Sequence, residues 1–200
     1  MGLRERKKQA TAERLYRTAL DLFSERGYDA TTVEEIAQAA DVAKGTFFNY
    51  FPTKDTVLGY AGHRQMRLVH EVMAADQGFE RRPVYEQLTF VFETLAAGIQ
   101  DDHEVMRVVA LEVYRSVSAF SETASVSRQL YELLLEIVHR GQRRGELRSD
   151  AAAPAKSMAL LLMAAYFYTF FAWLEPEDPP AFAVLLHVQL DLLLQGMQSP

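Results

Sequence analysis

Apolar side chains recur every three or four residues along most of the chain, which is the period of an amphipathic α-helix. In the first such segment Leu15, Ala19 and Phe23 mark one face, and Gly27 stands where the helix is expected to end. The same spacing predicts helices over 33–39, 44–50, 53–75, 82–99, 102–118, 121–143, 152–174 and 180–196. Apolar and polar residues do not alternate over any useful length, so the sequence predicts an all-α fold.

Local signals fix several of these boundaries. Thr32, followed three residues later by Glu35, is a capping-box pair in which each side chain bonds the other's backbone amide. Pro52 closes the short helical segment that carries Phe47 and Phe51, two rings expected in the core. Further breaks are expected over 141–145, which holds two glycines, and over 175–180.

Composition narrows the class of protein. The 200 residues contain no cysteine, which excludes disulfide frameworks, thiolate zinc sites and cysteine nucleophiles. The first ten residues carry no apolar signal-peptide core, so we expect a soluble cytoplasmic protein. The motifs of serine hydrolases, dinucleotide-binding folds, P-loops and zinc proteases do not occur, and we expect neither an enzyme nor a cofactor. Acidic residues and a histidine at 101–104 are interpreted as a helix start rather than a metal site.

Charge is distributed unevenly along the chain. The formal net charge is −6, but residues 1–60 hold nine basic and nine acidic side chains, whereas 61–200 hold twelve and eighteen. Six basic side chains fall within residues 1–17. A local basic end of this kind indicates either a phosphate-binding surface or a solvated helix start.

Two short predicted helices, 33–39 and 44–50, are separated by a turn at 40–43, which describes a helix-turn-helix unit. The segment 31–58, TTVEEIAQAADVAKGTFFNYFPTKDTVL, closely resembles the DNA-binding signature of the TetR family of transcriptional regulators. The likeness extends from Arg14 to Leu58 without a gap, and RGELRSD at 144–150 resembles a phrase common in the same family. The resemblance implies a DNA-binding domain at 1–52 and an effector-binding and dimerisation domain at 53–200.

The chemistry of this segment suits a DNA interface. Thr31 and Thr32 stand at a helix N-terminus, where free amides and the helix dipole favour a phosphate. Asn49 can read adenine through two hydrogen bonds. Gly45 has no side chain, so DNA can approach its backbone closely. By resemblance, the DNA-contacting positions are Lys44, Gly45, Thr46, Phe48, Asn49, Tyr50 and Lys54. Two positions depart from the family pattern, because Phe48 replaces a more usual Tyr and Ala43 replaces a capping Ser.

The predicted body offers apolar chemistry for an effector and for a second subunit. Aromatic and methionine side chains along its middle helices are typical of hydrophobic pockets, although the same residues also build cores. The candidate ligand-binding residues are Phe90, Met106, Tyr114, Tyr131, Met163, Tyr166 and Phe167. They favour a small hydrophobic or amphipathic effector.

The last two predicted helices are the candidate homodimer interface, again by resemblance, with burial inside one subunit as the alternative. The candidate interface residues are Ala164, Phe171, Leu185, Val188 and Leu192. Residues 158–174 contain no charge, but they fall just short of a bilayer span, so a buried helix is favoured over a membrane segment. The resulting prediction is a dimeric repressor that binds a palindromic double-stranded operator and is released by its effector. A helical adaptor that has lost DNA binding is the alternative.

Overall fold

The computed structural model describes residues 2–97, 99, 106–107, 109–111, 117–151, 153–176 and 180–197, with all their side chains except those of 5, 117–123 and 197. Most of these residues are helical and none lies in a β-strand, which confirms the predicted all-α class. The helices are α1 (Leu3–Arg26), α2 (Val33–Ala39), α3 (Lys44–Tyr50), α4 (Asp55–Ala75), α5 (Val84–Ala97), α6 (Val117–Arg144), α7 (Ala155–Leu174) and α8 (Phe182–Met197). A 3₁₀ turn, Phe79–Arg81, precedes α5, and residues 106, 107 and 109–111 are helical as well.

The described residues form two compact units. The first comprises those between 2 and 62 together with those between 104 and 123, and the second comprises those between 63 and 103 and from 124 onward. In the first unit α1 packs against α2 and α2 against α3, around a core that includes Leu15, Phe23, Ile36 and Phe47. In the second unit α8 packs against both α5 and α7. The predicted domain boundary at 52/53 stays a prediction.

Two sequence-based boundaries around α6 were wrong. The expected end of a helix at 118 and restart at 121 do not occur, because α6 runs unbroken from Val117 and no glycine or proline interrupts residues 117–140. The expected break over 141–145 is confined to Gly145, whose φ of +72° ends the helix. Gly141 instead lies inside α6, where a Cβ atom would stand 2.7 Å from Val84 Cγ2 and 2.9 Å from Leu147 Cδ1. This glycine therefore permits close packing rather than a turn.

Polar contacts tie the segment before α5 to α6 within the second unit. The buried Gln87 side chain donates to the carbonyl oxygen of Arg82 at 2.7 Å and accepts from the Arg140 guanidinium. The Val84 amide donates to Glu146 Oε2 at 2.6 Å, which gives the 144–150 segment a structural role. These bonds satisfy buried polar groups that apolar neighbours could not.

Candidate nucleic-acid interface

A tight turn joins α2 to α3 and sets the geometry of the helix pair. The Val42 amide donates to the Ala37 carbonyl oxygen at 2.9 Å, and the Asp41 amide donates to the backbone carbonyl oxygen of Gln38 at 3.1 Å. Asp41 takes a φ of +53°, a left-handed conformation that aspartate tolerates better than most residues. The bounds of α2 and α3 equal the predicted 33–39 and 44–50, so the helix-turn-helix prediction is confirmed.

Aromatic packing anchors α3 on one side. Phe47 is fully buried and its ring centroid lies 5.6 Å from that of Phe51, which in turn packs edge-on against Tyr60. Both phenylalanines are core residues, as expected. Anchoring by one face leaves the other face of α3 in solvent, with four exposed and two half-buried residues. The exposed ones are Lys44, Gly45, Phe48 (44% exposed) and Asn49, and the half-buried ones are Thr46 and Tyr50.

Thr32 and Glu35 form the predicted capping box at the start of α2. Thr32 Oγ1 accepts from the Glu35 amide at 3.2 Å, and the Thr32 amide donates to Glu35 Oε2 at 2.8 Å. The hydrogen bond from the Thr32 amide lowers the pKa of Glu35. Arg26 Nη1 also lies 3.4 Å from Glu35 Oε1. The exposed N-terminus of α2 is thus fixed by its own side chains.

The amine of Lys44 contacts Glu34 Oε1, across the gap between the starts of α2 and α3. This hydrogen bond lowers the pKa of Glu34. The same amine lies 6.0 Å from the centroid of the Phe48 ring. Sequence reasoning missed this partner, because the two residues are ten positions apart and carry no pairing signal beyond opposite charge.

Thr31, predicted to lie at a phosphate-binding helix start, and Lys54, predicted to contact DNA, make contacts within the first unit. The Thr31 side chain is 1% exposed, and its hydroxyl donates to the Gly27 carbonyl oxygen at 2.8 Å. Lys54 Nζ donates to the carbonyl oxygens of Tyr28 at 2.7 Å and Thr31 at 2.9 Å. In this structure the Thr31 hydroxyl holds the segment between α1 and α2 against the end of α1, and Lys54 joins this segment to the residues that lead into α4. A phosphate contact by either one stays a prediction.

The described candidate effector residues are divided between the two units. Met106 is buried in the first unit, whereas the other described candidates belong to the second, and Tyr114 lies outside the described residues. Tyr166 is buried among rings, stacked at 6.0 Å on Phe92 and edge-on at 5.3 Å to Phe167. Burial raises the pKa of Tyr166 far above its ordinary value, so this phenol stays neutral. The remaining candidates Phe90, Tyr131 and Met163 are half-buried.

Further rings extend this aromatic cluster, which the sequence did not single out. Phe182 is fully buried, and its centroid lies 5.9 Å from Tyr166 and 5.3 Å from Trp173. The indole of Trp173 donates to the Pro180 carbonyl oxygen at 3.1 Å. The cluster is therefore a packed aromatic interior with one buried tryptophan.

The candidate dimer residues lie on an exposed apolar surface of the second unit. Phe171, Val188 and Leu192 are 54%, 52% and 62% exposed, Ala164 is exposed and Leu185 is half-buried. Four further exposed apolar residues share the same helix faces at three- and four-residue spacings: Leu160, Leu161, Tyr168 and Val184. We call these eight exposed residues on α7 and α8 the apolar face. Patches of this kind mark interaction surfaces.

A membrane segment and a metal site are the alternatives that the sequence raises for 158–174 and 101–104. By length and composition α7 is also apolar enough to cross a membrane, a property shared by core helices of soluble proteins. The acidic residues at 101–104 lie outside the described residues, so their interpretation as a helix start stays a prediction. Among the described side chains, no group of three or more histidine, aspartate or glutamate residues is placed to hold a metal ion.

Known DNA-binding regulators match this chain over the segment that contains α2 and α3. The sequence profile described as "Bacterial regulatory proteins, tetR family" matches residues 15–61, which include α2 and α3. TcmR of Streptomyces glaucescens, an HTH-type transcriptional regulator, is 50% identical over 56 residues. That match covers 28% of this chain and 25% of TcmR, so the chain spans about a quarter of this relative.

Other matches extend along nearly the whole chain. KstR2 of Rhodococcus jostii, an HTH-type transcriptional repressor, is 24% identical over 189 residues, which are 91% of this chain and 88% of KstR2. The crystal structure of Thermus thermophilus FadR, a TetR-family transcriptional repressor in complex with lauroyl-CoA, matches with a TM-score of 0.64 and 30% identity. This match covers 94% of the present chain and 96% of the FadR chain.

Proposed function

The chain belongs to the TetR family of bacterial regulatory proteins, and on that premise we propose that it is a cytoplasmic repressor that binds a palindromic operator as a homodimer. A small hydrophobic or amphipathic effector, bound by the second unit, releases the DNA. The observation that carries the proposal is the geometry of α3, whose Phe47 side is buried while the side with Lys44 and Asn49 is exposed.

The exposed side of α3 supplies both phosphate and base contacts. Lys44 neutralises a phosphate, which gives affinity for DNA of any sequence. Asn49 reads a base edge, adenine being its usual partner in the major groove. Gly45 lets the DNA approach the backbone, since, apart from its chain neighbours and the backbone of α3, no atom of the described residues lies within 4 Å of the place where its Cβ would stand. Phe48 has no hydroxyl for a phosphate, so its ring contacts sugar or a thymine methyl.

The apolar face supports the homodimer. Eight exposed apolar residues on α7 and α8 would remain in water in a single subunit, and a second copy of the same face removes them from it. A two-fold dimer presents two copies of α3, which require half-sites about 34 Å apart or a multiple of that spacing. The operator is therefore an inverted repeat.

The effector proposal rests on apolar chemistry and on one relative. The half-buried Phe167 and Met163 of α7 offer ring and thioether surface, which suits an alkyl chain better than a sugar or a phosphate ester. FadR of T. thermophilus, which is 30% identical, was crystallised with lauroyl-CoA. We infer an acyl chain of about that length, carried as a thioester, as the effector class.

Selection of duplexes from a random pool by the purified full-length protein, followed by footprinting, tests the DNA proposal. We expect an inverted repeat protected on both half-sites. Protection of one asymmetric site by a monomer would contradict it, and a protein that retains no duplex would support the adaptor alternative.

Release of the selected duplex by lauroyl-CoA, with lauric acid and free coenzyme A as controls, tests the effector. To move a two-state equilibrium from 1:99 to 99:1, the effector must bind the released form about 5.5 kcal/mol more tightly. Trp173 is the chain's single tryptophan and is packed in the aromatic cluster, so its fluorescence reports binding independently of DNA. Lauroyl-CoA that changes neither fluorescence nor DNA binding would exclude this effector class.

A further inference from the structure

Glu34 lies at the edge of the proposed DNA interface, and its negative charge is of the same sign as that of the DNA phosphates. It is the second residue of α2, and its carboxylate contacts the amine of Lys44, the first residue of α3. Their side chains are 59% and 53% exposed, so the pair lies in solvent. The contact joins the starts of the two helices that form the helix-turn-helix unit.

The surroundings of the pair hold more negative than positive charge. A groove of about 500 Å³ runs between α2 and α3, and its lining residues are Glu34, Ala37, Gln38, Asp41, Val42, Ala43 and Lys44. Within this lining Lys44 is the cation, against two carboxylates. The ammonium that the proposed function assigns to a phosphate is therefore already engaged by a carboxylate of the same chain.

A phosphate must compete with Glu34 for this amine. Two oxygens bonded to one ammonium, each at about 2.8 Å, lie at most about 5.6 Å apart. That separation is shorter than the Debye length of about 10 Å at 0.1 M salt, so the carboxylate and the phosphate repel each other with little screening. This repulsion decreases when the Glu34 side chain turns away from Lys44, which the solvent exposure of both side chains permits.

We propose that Glu34 is an intramolecular competitor of phosphate, which holds Lys44 before DNA binds and lowers affinity for DNA of every sequence. This inference rests on the proposed function, because it requires Lys44 to bind a phosphate. The competition is electrostatic, so it weakens random and selected duplexes by the same factor. Its effect is to lower the affinity for all DNA while the ratio of specific to non-specific affinity stays the same.

The test compares full-length wild type with Glu34→Gln, Lys44→Gln and the double variant, by fluorescence anisotropy over a range of salt. The probes are the duplex selected by the wild type and a scrambled duplex of the same length. Glu34→Gln is expected to tighten binding to both duplexes about three- to tenfold. It should also steepen the dependence of log K on log salt by up to about 0.9. In the Lys44→Gln background Glu34→Gln should change the DNA affinity by less than about twofold, because no amine remains at position 44 for which Glu34 and a phosphate could compete.

Glu25→Gln is the matched control, since Glu25 is an exposed acid of the same unit on α1. An equal gain from Glu25→Gln, or a full gain in the Lys44→Gln background, would show a general charge effect and overturn the proposal. Loss of affinity for the selected duplex alone would show that Glu34 reads a base, which also overturns it. A lowered melting temperature with unchanged DNA affinity would leave Glu34 a purely structural role.

Failure of the proposed function has a different signature, because the wild type would then bind neither duplex. If the wild type binds and Glu34→Gln matches it on both duplexes, the competitor proposal alone is wrong. Glu34→Ala provides a second variant for the same measurements, should Glu34→Gln lower the melting temperature.

Discussion

Lys54 Nζ lies 2.7 Å from the carbonyl oxygen of Tyr28 and 4.1 Å from the centroid of the same residue's ring. A second carbonyl, that of Thr31, accepts from the same amine at 2.9 Å. Lys54 thereby fastens the segment between α1 and α2 to the residues that lead into α4. The family resemblance implies a DNA contact for this lysine, whereas the hydrogen bonds that it makes give it a structural role.

Replacing Lys54 by Met should therefore lower the free energy of unfolding and have little effect on the electrostatic part of DNA binding. Two partly buried carbonyls lose a charged donor and the Tyr28 ring loses its cation, so we expect a loss of about 2 kcal/mol in urea denaturation. The salt dependence of DNA binding should stay close to that of the wild type. Lys44→Gln is the complementary variant, with a stability change below about 1 kcal/mol and a salt slope lower by about 0.9. A stable Lys54→Met protein with the reduced slope would assign Lys54 to phosphate instead.

The substitution Gly45→Ala tests separately the stability of α3 and the close approach of DNA to its backbone. Gly45 lies in α3, and an added Cβ would have no atom of the described residues within 4 Å beyond its chain neighbours and the backbone of α3, so the methyl group meets no clash there. Alanine should raise stability by roughly 0.5–1 kcal/mol, because glycine loses more backbone freedom in a helix. We expect the opposite sign for DNA, with weaker binding to the selected duplex in anisotropy titrations. Unchanged affinity in the more stable variant would show that DNA does not approach this backbone.

The Thr32–Glu35 capping box makes a prediction about pH. Thr32→Ala removes the cap of α2 and should cost about 1 kcal/mol at pH 7, measured by chemical denaturation. The pKa of Glu35 is lowered in the folded chain, so its contribution is present above the unfolded value of about 4.3. It is lost as the pH falls through the lower, folded value. The gap between wild type and Thr32→Ala should thus narrow below about pH 4, whereas Thr32→Ser, which keeps the hydroxyl, should track the wild type. The pH-dependent part of the gap comes from the Thr32 hydroxyl, which donates to Glu35 Oε2 at 2.8 Å, so a gap independent of pH would show that this bond contributes no stability.

Sequence reasoning succeeded where local chemistry determines structure. The capping pair at 32 and 35 and the proline at 52 frame α2 and α3, and both helices begin and end where predicted. Gly141 shows the limit, because its neighbour Val84 is 57 positions away and nothing local distinguishes a packing glycine from a turn glycine. Lys54 shows another limit, because its partners are backbone carbonyls, which every residue type carries.

The apolar face predicts the last outcome, a dimer that one buried charge can break. Val188 is 52% exposed on α8, in line with Val184 and Leu192 at four-residue spacing. In a two-fold interface Val188→Glu buries like charges from both subunits without partners. We expect the dimer dissociation constant to rise at least about 100-fold, corresponding to a few kcal/mol. Affinity for the two-half-site duplex should fall with it.

Sedimentation equilibrium over a range of protein concentrations measures this change directly. Leu68→Glu is the matched control, because Leu68 is an exposed leucine of α4 that lies outside the apolar face. It introduces the same charge and should leave the dimer intact. A Val188→Glu protein that sediments as a dimer at the wild-type constant would place the subunit contact on another surface. In that case the exposed residues of α7 and α8 must be covered by something other than a second copy of the chain.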